Sequence, residues 1–447
     1  MPVEMSKNEI FAILKDWNLW GSQPETGVPR PQYLSLLQRL ISGSKHVVVI
    51  TGARRAGKSF LMKQVCSALV DGGVPKENIL FVNLEDPRFV RLDAKLLDEI
   101  YEAYLELVAP KGEVYIFLDE VQLVERWEKW VRTMHELRKA RIIVSGSNAH
   151  LLSKELGTAL TGRHLDMTVF PLSFGEFLAF NGFAPVGKLS PTGKEIEIKS
   201  QLRKYLESGS FPEVTLRERK KEILLGYFED LVEKDLVRRF RIRKGQELRA
   251  LVKFYFSNIS SLVTFGSAEK FLKISADTVE KFSGYLEQAY LVFFLKRFSF
   301  KFREQEKSPR KVYAIDTGLS NAVGFRFSEN LGRLAENVVF LELKKRQAFN
   351  ANLELFYWKD IHHREVDFVL KEGTKVTQLI QVCWNVAEPK TKERETRSLA
   401  KAIDELKAKE ALVITEEYEG AEEIRGHSIC FMPLWKWLGV CFPLLHP

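Results

Sequence analysis

The chain has 447 residues, with 67 Lys and Arg against 59 Asp and Glu, so that its formal net charge is +8. At about 100–200 residues per domain, this length predicts two to four domains. Its 45% of hydrophobic and 28% of charged residues exclude a disordered or fibrous chain. The charge excess is modest for this length and indicates an acidic partner such as nucleic acid only weakly.

Cysteine spacing and hydropathy indicate a soluble protein of the cytoplasm. The four cysteines, Cys66, Cys383, Cys430 and Cys441, are scattered, in no spacing typical of a zinc module or a disulfide framework. The N-terminus lacks a basic segment followed by an apolar stretch, and no apolar run reaches the roughly 18 residues of a membrane span. We therefore expect no membrane contact.

The N-terminal third alternates short apolar runs with amphipathic stretches. The runs rich in Val and Ile predict buried strands at residues 46–51, 79–83, 114–118 and 141–145. The stretches between them predict helices, among them 58–70 and 125–139. This alternation is typical of βαβ units, so we expect a parallel sheet covered on both faces. The turn-rich residues 181–193 mark the end of this part of the chain.

The strongest motif is GARRAGKS at residues 52–59, which fits the Walker A pattern G-x-x-x-x-G-K-[ST] between a predicted strand and a predicted helix. Glycines let backbone N–H groups surround a phosphate, and the helix N-terminus adds its positive dipole end. Lys58 is predicted to bridge the β- and γ-phosphates, and Ser59 to ligate Mg²⁺. The residues predicted to bind ATP are Gly52, Ala53, Arg54, Arg55, Ala56, Gly57, Lys58, Ser59 and Phe60. The alternative is a glycine turn without a ligand.

Two carboxylates, Asp119 and Glu120, end the predicted strand 114–118. Asp119 is predicted to hold Mg²⁺ through water. Glu120 is predicted to polarise the water that attacks the γ-phosphate, a general-base role. An Asp-Glu pair at a strand end is common by itself. In combination with the upstream phosphate loop, it indicates a site of ATP hydrolysis.

Three further residues are candidates for contact with the γ-phosphate. Ser147 or Asn148, after the strand 141–145, is predicted to hydrogen-bond the γ-phosphate or the attacking water, and the alternative is a cap for a helix at 149–156. Arg163 is predicted to act as an arginine finger on the ATP of a neighbouring subunit. The alternative for Arg163 is a solvated or ion-paired side chain.

The segments GARRAGKS, LDEVQ, SGSNAHLLS, LTGRHLDMTVFPLSFGEFL and GSFPEV occur in this order. On these segments the chain resembles the archaeal and bacterial AAA+-type ATPases that carry a C-terminal domain of poorly defined function. The resemblance covers nearly the whole chain and implies an α/β multidomain fold. Its expected parts are a P-loop AAA+ core (1–190), a helical lid (191–245), a winged helix (246–325) and a domain similar to PD-(D/E)XK nucleases (326–447).

Residues 247–316 fit a winged helix on their own pattern. A capped helix at 274–287 places Val279, Phe282 and Leu286 at helical spacing, and strands at 290–298 and 310–315 are predicted to form the wing. Residues 296–311 carry seven Lys or Arg with interleaved Phe, and residues 238–244 carry five. Such segments suit phosphate contact and base stacking.

The candidate DNA-contacting residues are Arg238, Arg239, Arg241, Arg243, Lys244, Lys273, Lys281, Lys296, Arg297, Lys301 and Arg303. The alternatives are a hairpin with one buried aromatic face, a protein-docking module and a solvated helix face.

In the C-terminal part, Glu336 lies on a predicted helix, Asp367 on a strand, and Gln381 and Cys383 on the next strand. This is the order of the PD-(D/E)XK site, in which carboxylates hold Mg²⁺ and a lysine stabilises charge. Here Gln381 replaces an acid and Cys383 replaces the lysine. We therefore expect a degenerate site with little or no cleavage. The alternative is that Glu336 and Asp367 still bind one metal and a nearby Lys substitutes.

The sequence as a whole predicts a Mg²⁺-dependent ATPase that couples ATP turnover to the binding or remodelling of duplex or branched DNA. A homo-oligomeric ring, such as a hexamer, fits this prediction. The alternative is a nucleotide-gated regulatory or protein-docking switch with slow turnover. A working nuclease ranks last.

Overall fold

The computed structural model of the chain describes residues 5–148, 160, 162–183, 194–325 and 330–440. They form two compact units, the first ending at Val169 and the second beginning at Phe170. The helix predicted at 149–156 and most of the turn-rich stretch 181–193 lie outside the described residues.

The first unit is built on a five-stranded parallel sheet in the order β2-β3-β4-β1-β5. Its strands are β1 (Val47–Thr51), β2 (Ile79–Asn83), β3 (Tyr115–Asp119), β4 (Arg141–Gly146) and β5 (His164–Thr168). Its helices are α1 (Lys7–Trp17), α2 (Pro31–Gly43), α3 (Lys58–Asp71), α4 (Ala94–Leu107) and α5 (Trp127–Glu136). The predicted α/β fold with a parallel sheet is confirmed.

Strand β1 reads VVVIT and all five of its residues are buried, as expected for a strand covered on both faces. It lies between β4 and β5, inside the sheet. Because parallel strands end at the same edge, the residues that follow β1, β3 and β4 meet there.

The second unit begins with helices. They are α6 (Phe174–Phe180), α7 (Glu195–Ser208), α8 (Pro212–Leu216) and α9 (Lys220–Asp230), the last continued by a π-helix (Leu231–Arg238). A smaller module follows, made of α10 (Gly245–Ser257), β6 (Ser261–Val263), α11 (Phe265–Leu272), α12 (Ala276–Gln288), β7 (Val292–Leu295), α13 (Phe302–Lys307) and β8 (Arg310–Ala314). Its three strands form an antiparallel sheet with β8 in the middle. We call residues 245–314 the middle module.

The C-terminal part of the second unit surrounds a six-stranded mixed sheet in the order β13-β14-β12-β11-β10-β9. Its elements are α14 (Thr317–Val323), α15 (Leu331–Phe349), β9 (Leu353–Lys359), β10 (Glu365–Glu372), β11 (Lys375–Val382), α16 (Pro389–Leu406), β12 (Glu410–Thr415), β13 (Gly420–Ile424), β14 (His427–Pro433) and α17 (Leu434–Val440). Strands β9, β10 and β11 are antiparallel, and β12 runs parallel to β11. The strands β13 and β14 were not predicted.

The strand predicted at 290–298 is wrong in its second half. Strand β7 ends at Leu295, and the chain then crosses to the edge of the C-terminal sheet. There the Phe298 N–H donates to the Tyr357 carbonyl at 2.6 Å, and the Tyr357 N–H donates to the Lys296 carbonyl at 3.0 Å. Phe298 is buried in the same core cluster as Trp358 in the C-terminal domain. Burial of its ring there stabilises this path of the chain more than continuing the hairpin would.

Asp316 connects the helices at the start of the second unit to the end of β8. Its buried carboxylate accepts hydrogen bonds from the Ser210 N–H at 2.6 Å, the Ser210 hydroxyl at 3.1 Å and the Leu319 N–H at 2.8 Å. Gly209 has φ +78°, and a Cβ there would lie 2.0 Å from an Asp316 carboxylate oxygen. Only glycine admits this close approach.

The substitution Gly209→Ala is therefore expected to destabilise the protein more than the matched control Gly182→Ala. Gly182 has φ +79°, but a Cβ there would have no described atom within 4 Å, so Gly182→Ala isolates the backbone cost of about 1–2 kcal/mol. The clash with Asp316 adds on the order of 1–3 kcal/mol for Gly209→Ala alone. Urea unfolding of the two variants measures the difference, and equal losses would contradict the steric argument.

Candidate functional site

The loop between β1 and α3 turns sharply at two glycines. Gly52 has φ +142° and Gly57 has φ +99°, and Arg55 between them also has a positive φ of 68°. A Cβ at position 52 would lie 2.1 Å from the Val169 carbonyl oxygen. Helix α3 starts at Lys58, and no described side chain caps its N-terminus. The backbone N–H groups of its first turn therefore have no capping side chain as acceptor. Together with the positive end of the helix dipole, they favour the binding of an anion at this position.

The Lys58 side chain folds over this loop. Lys58 is 4% exposed, and its ammonium donates to the carbonyls of Gly52 at 3.1 Å and Ala53 at 3.2 Å. The same nitrogen lies 3.5 Å from a Glu120 carboxylate oxygen. The loop lysine and the acid after β3 are therefore brought together, 62 positions apart in the sequence.

Asp119 and Glu120 are buried at the carboxyl end of β3. Asp119 accepts hydrogen bonds from the hydroxyls of Ser145 and Ser59, while the Glu120 N–H donates to the Ser145 hydroxyl at 3.1 Å. Burial, and then the adjacent Glu120 carboxylate, raise the pKa of Asp119 above its ordinary value. The Ser59 hydroxyl and the Asp119 carboxylate, the two groups predicted to hold Mg²⁺, thus meet, and both offer the oxygen ligands that Mg²⁺ prefers.

Two residues of this region carry no signal in the sequence and were not predicted. Arg30 is 3% exposed, and its guanidinium donates to the Ala56 carbonyl of the loop at 2.9 Å. Gln64 on α3 accepts from the Arg30 N–H at 3.3 Å and donates to the carbonyls of Thr26 and Val28. Together they tie residues 26–30 to the loop and to α3. Neither belongs to a motif, so no pattern marks them.

The remaining candidates of the first unit fall at two edges of the sheet. Ser147 and Asn148 follow β4, are buried, and lie at the same edge as Asp119. Arg163 lies at the opposite edge, where its carbonyl accepts from the Val47 N–H at the start of β1. Its guanidinium pairs with Glu136 at 3.1 Å. The roles of Ser147 and Arg163 at the γ-phosphate stay predictions.

Comparison with known proteins identifies the family. Residues 44–178 match a model described as an AAA domain. Uncharacterized protein MJ1544 of Methanocaldococcus jannaschii is 35% identical over 405 residues, which cover 88% of this chain and 88% of that protein. This chain belongs to the MJ1544 family. The match at residues 44–178 shows that it carries a P-loop domain of the AAA ATPase type, which supports ATP binding.

Other similarities extend along the chain. An uncharacterized protein of Haemophilus influenzae is 29% identical over 410 residues, 89% of this chain and 96% of that protein. Residues 199–331 and 331–437 match two domains of unknown function, DUF8612 and DUF4143. Among solved structures, the Walker-type ATPase PABY2304 of Pyrococcus abyssi covers 67% of this chain and 98% of its own, with a TM-score of 0.45 and 14% identity. Similarity at that score carries no argument about function.

No helix within the described ranges is both long and apolar enough to cross a bilayer.

The residues of the predicted degenerate nuclease site also come together. The Asp367 N–H donates to the Gln381 side-chain carbonyl at 3.0 Å, and the Asp367 carboxylate accepts from the Val382 N–H at 2.8 Å. The Lys311 ammonium lies 3.0 Å from Glu336 and 2.6 Å from Asp367. Among the residues that the structure describes, no group of three or more His, Cys, Asp or Glu side chains is arranged to hold a metal ion.

The pKa values of Glu336 and Cys383 in this cluster are both raised. Burial, and then the nearby Asp367 carboxylate, raise the pKa of Glu336 above its ordinary value. Burial raises the pKa of the Cys383 thiol to about 11. Cys383 is therefore a neutral thiol at physiological pH and supplies no charge where the nuclease pattern has lysine.

The interpretation of Lys311 as part of a DNA-facing basic wing is wrong. Its side chain is 2% exposed and points into the carboxylates of the C-terminal domain. A buried ammonium needs hydrogen-bond acceptors, and these carboxylates supply them to Lys311.

The basic run 238–244 lies beside α12. Phe240, in the middle of the run, stacks on Tyr285 of that helix with ring centroids 3.9 Å apart, and the Lys281 ammonium lies 6.0 Å from the Tyr285 ring. Arg241, Arg243, Lys244, Lys273 and Lys281 are exposed. Arg238 and Arg239 instead pair with Glu233 at 3.5 Å and Asp235 at 3.7 Å.

The basic residues at 296–303 lie at the edge of the C-terminal sheet. Lys296 pairs with Glu306 at 2.5 Å, and the Arg297 guanidinium donates to the Lys359 carbonyl. Lys301 lies 3.2 Å from Glu304, while Arg303 is exposed. Phe300 and Phe302 are 81% and 76% exposed. The two basic segments therefore lie on different elements, one beside α12 and the other beside β9.

The contact of Arg30 with the phosphate loop predicts a measurable effect on nucleotide affinity. Removing the guanidinium frees the Ala56 carbonyl and loosens the loop, so we expect Arg30→Ala to raise the Kd for Mg·ATP about tenfold, or about 1.4 kcal/mol. Titration with a fluorescent ATP analogue measures it. Arg39 is exposed on α2, and Arg39→Ala is the matched control. Equal affinities of the two folded variants would contradict a role for Arg30 in the loop.

Proposed function

We propose that this protein binds Mg·ATP in the loop 52–59 and hydrolyses it to ADP and phosphate. The observation that carries this proposal is the convergence of Lys58, Asp119 and Glu120 at the carboxyl edge of the parallel sheet, with all three side chains buried. The AAA domain model matched by residues 44–178 supports the same conclusion.

Each side chain has one role in this proposal. Gly52 and Gly57 let the loop N–H groups face the β-phosphate, and Lys58 leaves the loop carbonyls to contact the β- and γ-phosphates. Ser59 and Asp119 are the residues that would hold Mg²⁺, directly and through water. A bound Mg²⁺ neutralises phosphate charge and orients the γ-phosphate. Glu120 holds the attacking water and accepts its proton, a role that its position beside Lys58 supports.

A finer proposal concerns what the ATPase acts on. We infer that the middle module is a winged helix that contacts DNA. The order helix, strand, helix, helix, strand, short helix and strand from α10 to β8 supports it, with α13 inserted between the last two strands and α12 as the helix that faces the groove. The run 238–244 is held against α12 by the Phe240–Tyr285 stack, so its exposed basic side chains flank that helix. Phe300, Phe302 and Arg303 offer stacking and charge at the second basic segment.

The division of the chain is proposed on the same grounds. The proposed parts are a core at 1–190, a lid at 191–245, a winged helix at 246–325 and a C-terminal domain at 326–447. The matches at 44–178 and 331–437 fall within the first and the last of them, while the match at 199–331 spans the lid and the winged helix together. The order α15, three antiparallel strands, α16 and the parallel strand β12 supports a nuclease-like C-terminal fold. A ring in which Arg163 reaches a neighbour's ATP belongs to the proposal as well.

The ATPase proposal predicts that Glu120→Gln loses hydrolysis alone, whereas Lys58→Ala loses both ATP binding and hydrolysis. Glu120→Gln removes the proton acceptor but keeps the loop, so hydrolysis is expected to fall by about 10²–10⁴-fold while ATP binding persists. Lys58→Ala is expected to weaken both binding and hydrolysis. Phosphate release and nucleotide titration are the two measurements. Glu125, exposed on the same connection, gives the control Glu125→Gln. Unchanged ATP turnover in Glu120→Gln would contradict the role of Glu120 as the proton acceptor.

The DNA proposal predicts that binding depends on the exposed half of the run 238–244. Changing Arg241, Arg243 and Lys244 to Gln is expected to weaken binding to labelled duplex and branched DNA at least about tenfold, and to lower the salt slope by about 0.9 per lost phosphate contact. ATP binding should be unchanged. The exposed lysines Lys390, Lys407 and Lys409, also changed to Gln, form the control.

Measurements on the wild-type protein also distinguish the DNA-remodelling proposal from the nucleotide-gated docking switch. ATP turnover that rises on addition of duplex or branched DNA supports the remodelling proposal. A wild-type protein with no salt-dependent DNA binding would overturn it, and slow turnover that DNA leaves unchanged would favour the nucleotide-gated docking switch.

A further inference from the structure

The Lys311 ammonium occupies the centre of the carboxylate cluster in the C-terminal domain. Its nitrogen lies 3.0 Å from Glu336, 2.9 Å from Glu365 and 2.6 Å from Asp367. An ammonium has three N–H donors, and the three carboxylates match them in number, with hydrogen bonds to Glu336 and Asp367 and an ion pair to Glu365. The group is fully buried and fully hydrogen-bonded, as a charge in a protein interior has to be.

The surrounding contacts fix each carboxylate in place. The Tyr313 hydroxyl donates to the same Glu336 oxygen at 2.8 Å, and Lys359 pairs with the second oxygen of Glu365 at 3.0 Å. The Gln381 amide donates to Glu395 at 2.8 Å while its carbonyl holds the Asp367 N–H. These contacts thus hold the carboxylate oxygens in place around the Lys311 ammonium.

A divalent metal does not fit this cluster together with Lys311. Mg²⁺ would bind the same oxygens at about 2.0–2.1 Å, and a cation there would lie against the ammonium. The two like charges would repel each other in a site closed to water. The replacement of an acid by Gln381 and of a lysine by Cys383 removes further support for a metal.

We propose that Lys311 is the resident cation of this site, standing in for the divalent metal that the nuclease-like pattern implies. The lysine is supplied by β8 of the middle module, whereas the three acids come from α15 and β10 of the C-terminal domain. The site therefore works as a metal-free ionic joint between the two modules. The Asn337 side chain, which exchanges two hydrogen bonds with the Ala314 backbone at 2.8 and 3.0 Å, fixes the same strand to the same helix.

The pKa of Lys311 agrees with this role. Burial disfavours its charge, but the carboxylates of Asp367 and Glu336 outweigh burial and hold the pKa well above its ordinary value. The ammonium thus stays charged throughout the physiological pH range.

The test counts bound Mn²⁺ by electron paramagnetic resonance in the nucleotide-free, full-length protein at mildly alkaline pH. Wild type and Asp367→Asn are expected to bind the same number of ions, because Lys311 already occupies the cluster. Lys311→Met removes the charge and keeps an apolar chain of similar length, so it is expected to bind one additional Mn²⁺, which Lys311→Met with Asp367→Asn loses. A Mn²⁺ in the wild type that Asp367→Asn abolishes, or a folded Lys311→Met that gains none, would overturn the proposal.

A second measurement keeps the proposal testable where Lys311→Met fails to fold. Supercoiled plasmid incubated with the wild-type protein and Mn²⁺ is expected to stay uncut. Cutting that Asp367→Asn and Glu336→Gln both abolish would mean that a metal displaces the lysine, and the proposal would be wrong.

Discussion

A buried ammonium has to be surrounded by acceptors, and the second unit is organised around the one on Lys311. Its three N–H groups need three carboxylates, which come from α15 and β10 and not from its own strand. A shift of β8 by one residue would turn the lysine to the other face and leave the acids facing one another. Because an unpaired buried charge costs about 3–5 kcal/mol, a single register of β8 against the C-terminal domain is strongly preferred. The same logic applies at Asp316, whose buried carboxylate fixes Ser210 and the chain around Gly209.

Lys58 shows the contrasting use of a buried lysine. Its ammonium rests on two neutral carbonyls at 3.1 and 3.2 Å, and the only carboxylate paired with it among the described residues, that of Glu120, is 3.5 Å away. Compared with Lys311, which has three acids within 3.0 Å, its charge is only partly balanced. A polyphosphate offers stronger acceptors than peptide carbonyls and can take their place. Lys58 can therefore exchange its carbonyl acceptors for a ligand, whereas the charge of Lys311 is already balanced by carboxylates of the protein.

The sequence predicted what depends on neighbours along the chain. The phosphate loop is a strand, two glycines and a helix start within a dozen residues, so the motif contains most of its own geometry. The convergence of Asp119 with Ser59 followed from the rule that parallel strands end at one edge. Glu336, Asp367 and Gln381 were grouped by the order of a helix and two strands.

What the sequence could not predict depends on distant packing. Arg30 is buried because the Ala56 carbonyl needs a donor, and nothing local distinguishes it from an exposed arginine such as Arg39. Lys311 was grouped with the basic residues beside it, since its acids lie 25 to 56 positions further on. The predicted wing failed at Phe298 for a related reason: the ring finds a larger apolar core beside Trp358 than a hairpin offers.

The start of the phosphate loop is tied to the end of the first unit. The Thr51 carbonyl, directly before the loop, accepts from the Val169 N–H at 2.8 Å, and Gly52 packs so closely on the Val169 carbonyl that a Cβ would not fit. Val169 is also the last residue of the first unit, and the chain continues from it into Phe170. The residues that open the phosphate loop therefore hold the end of the first unit in place.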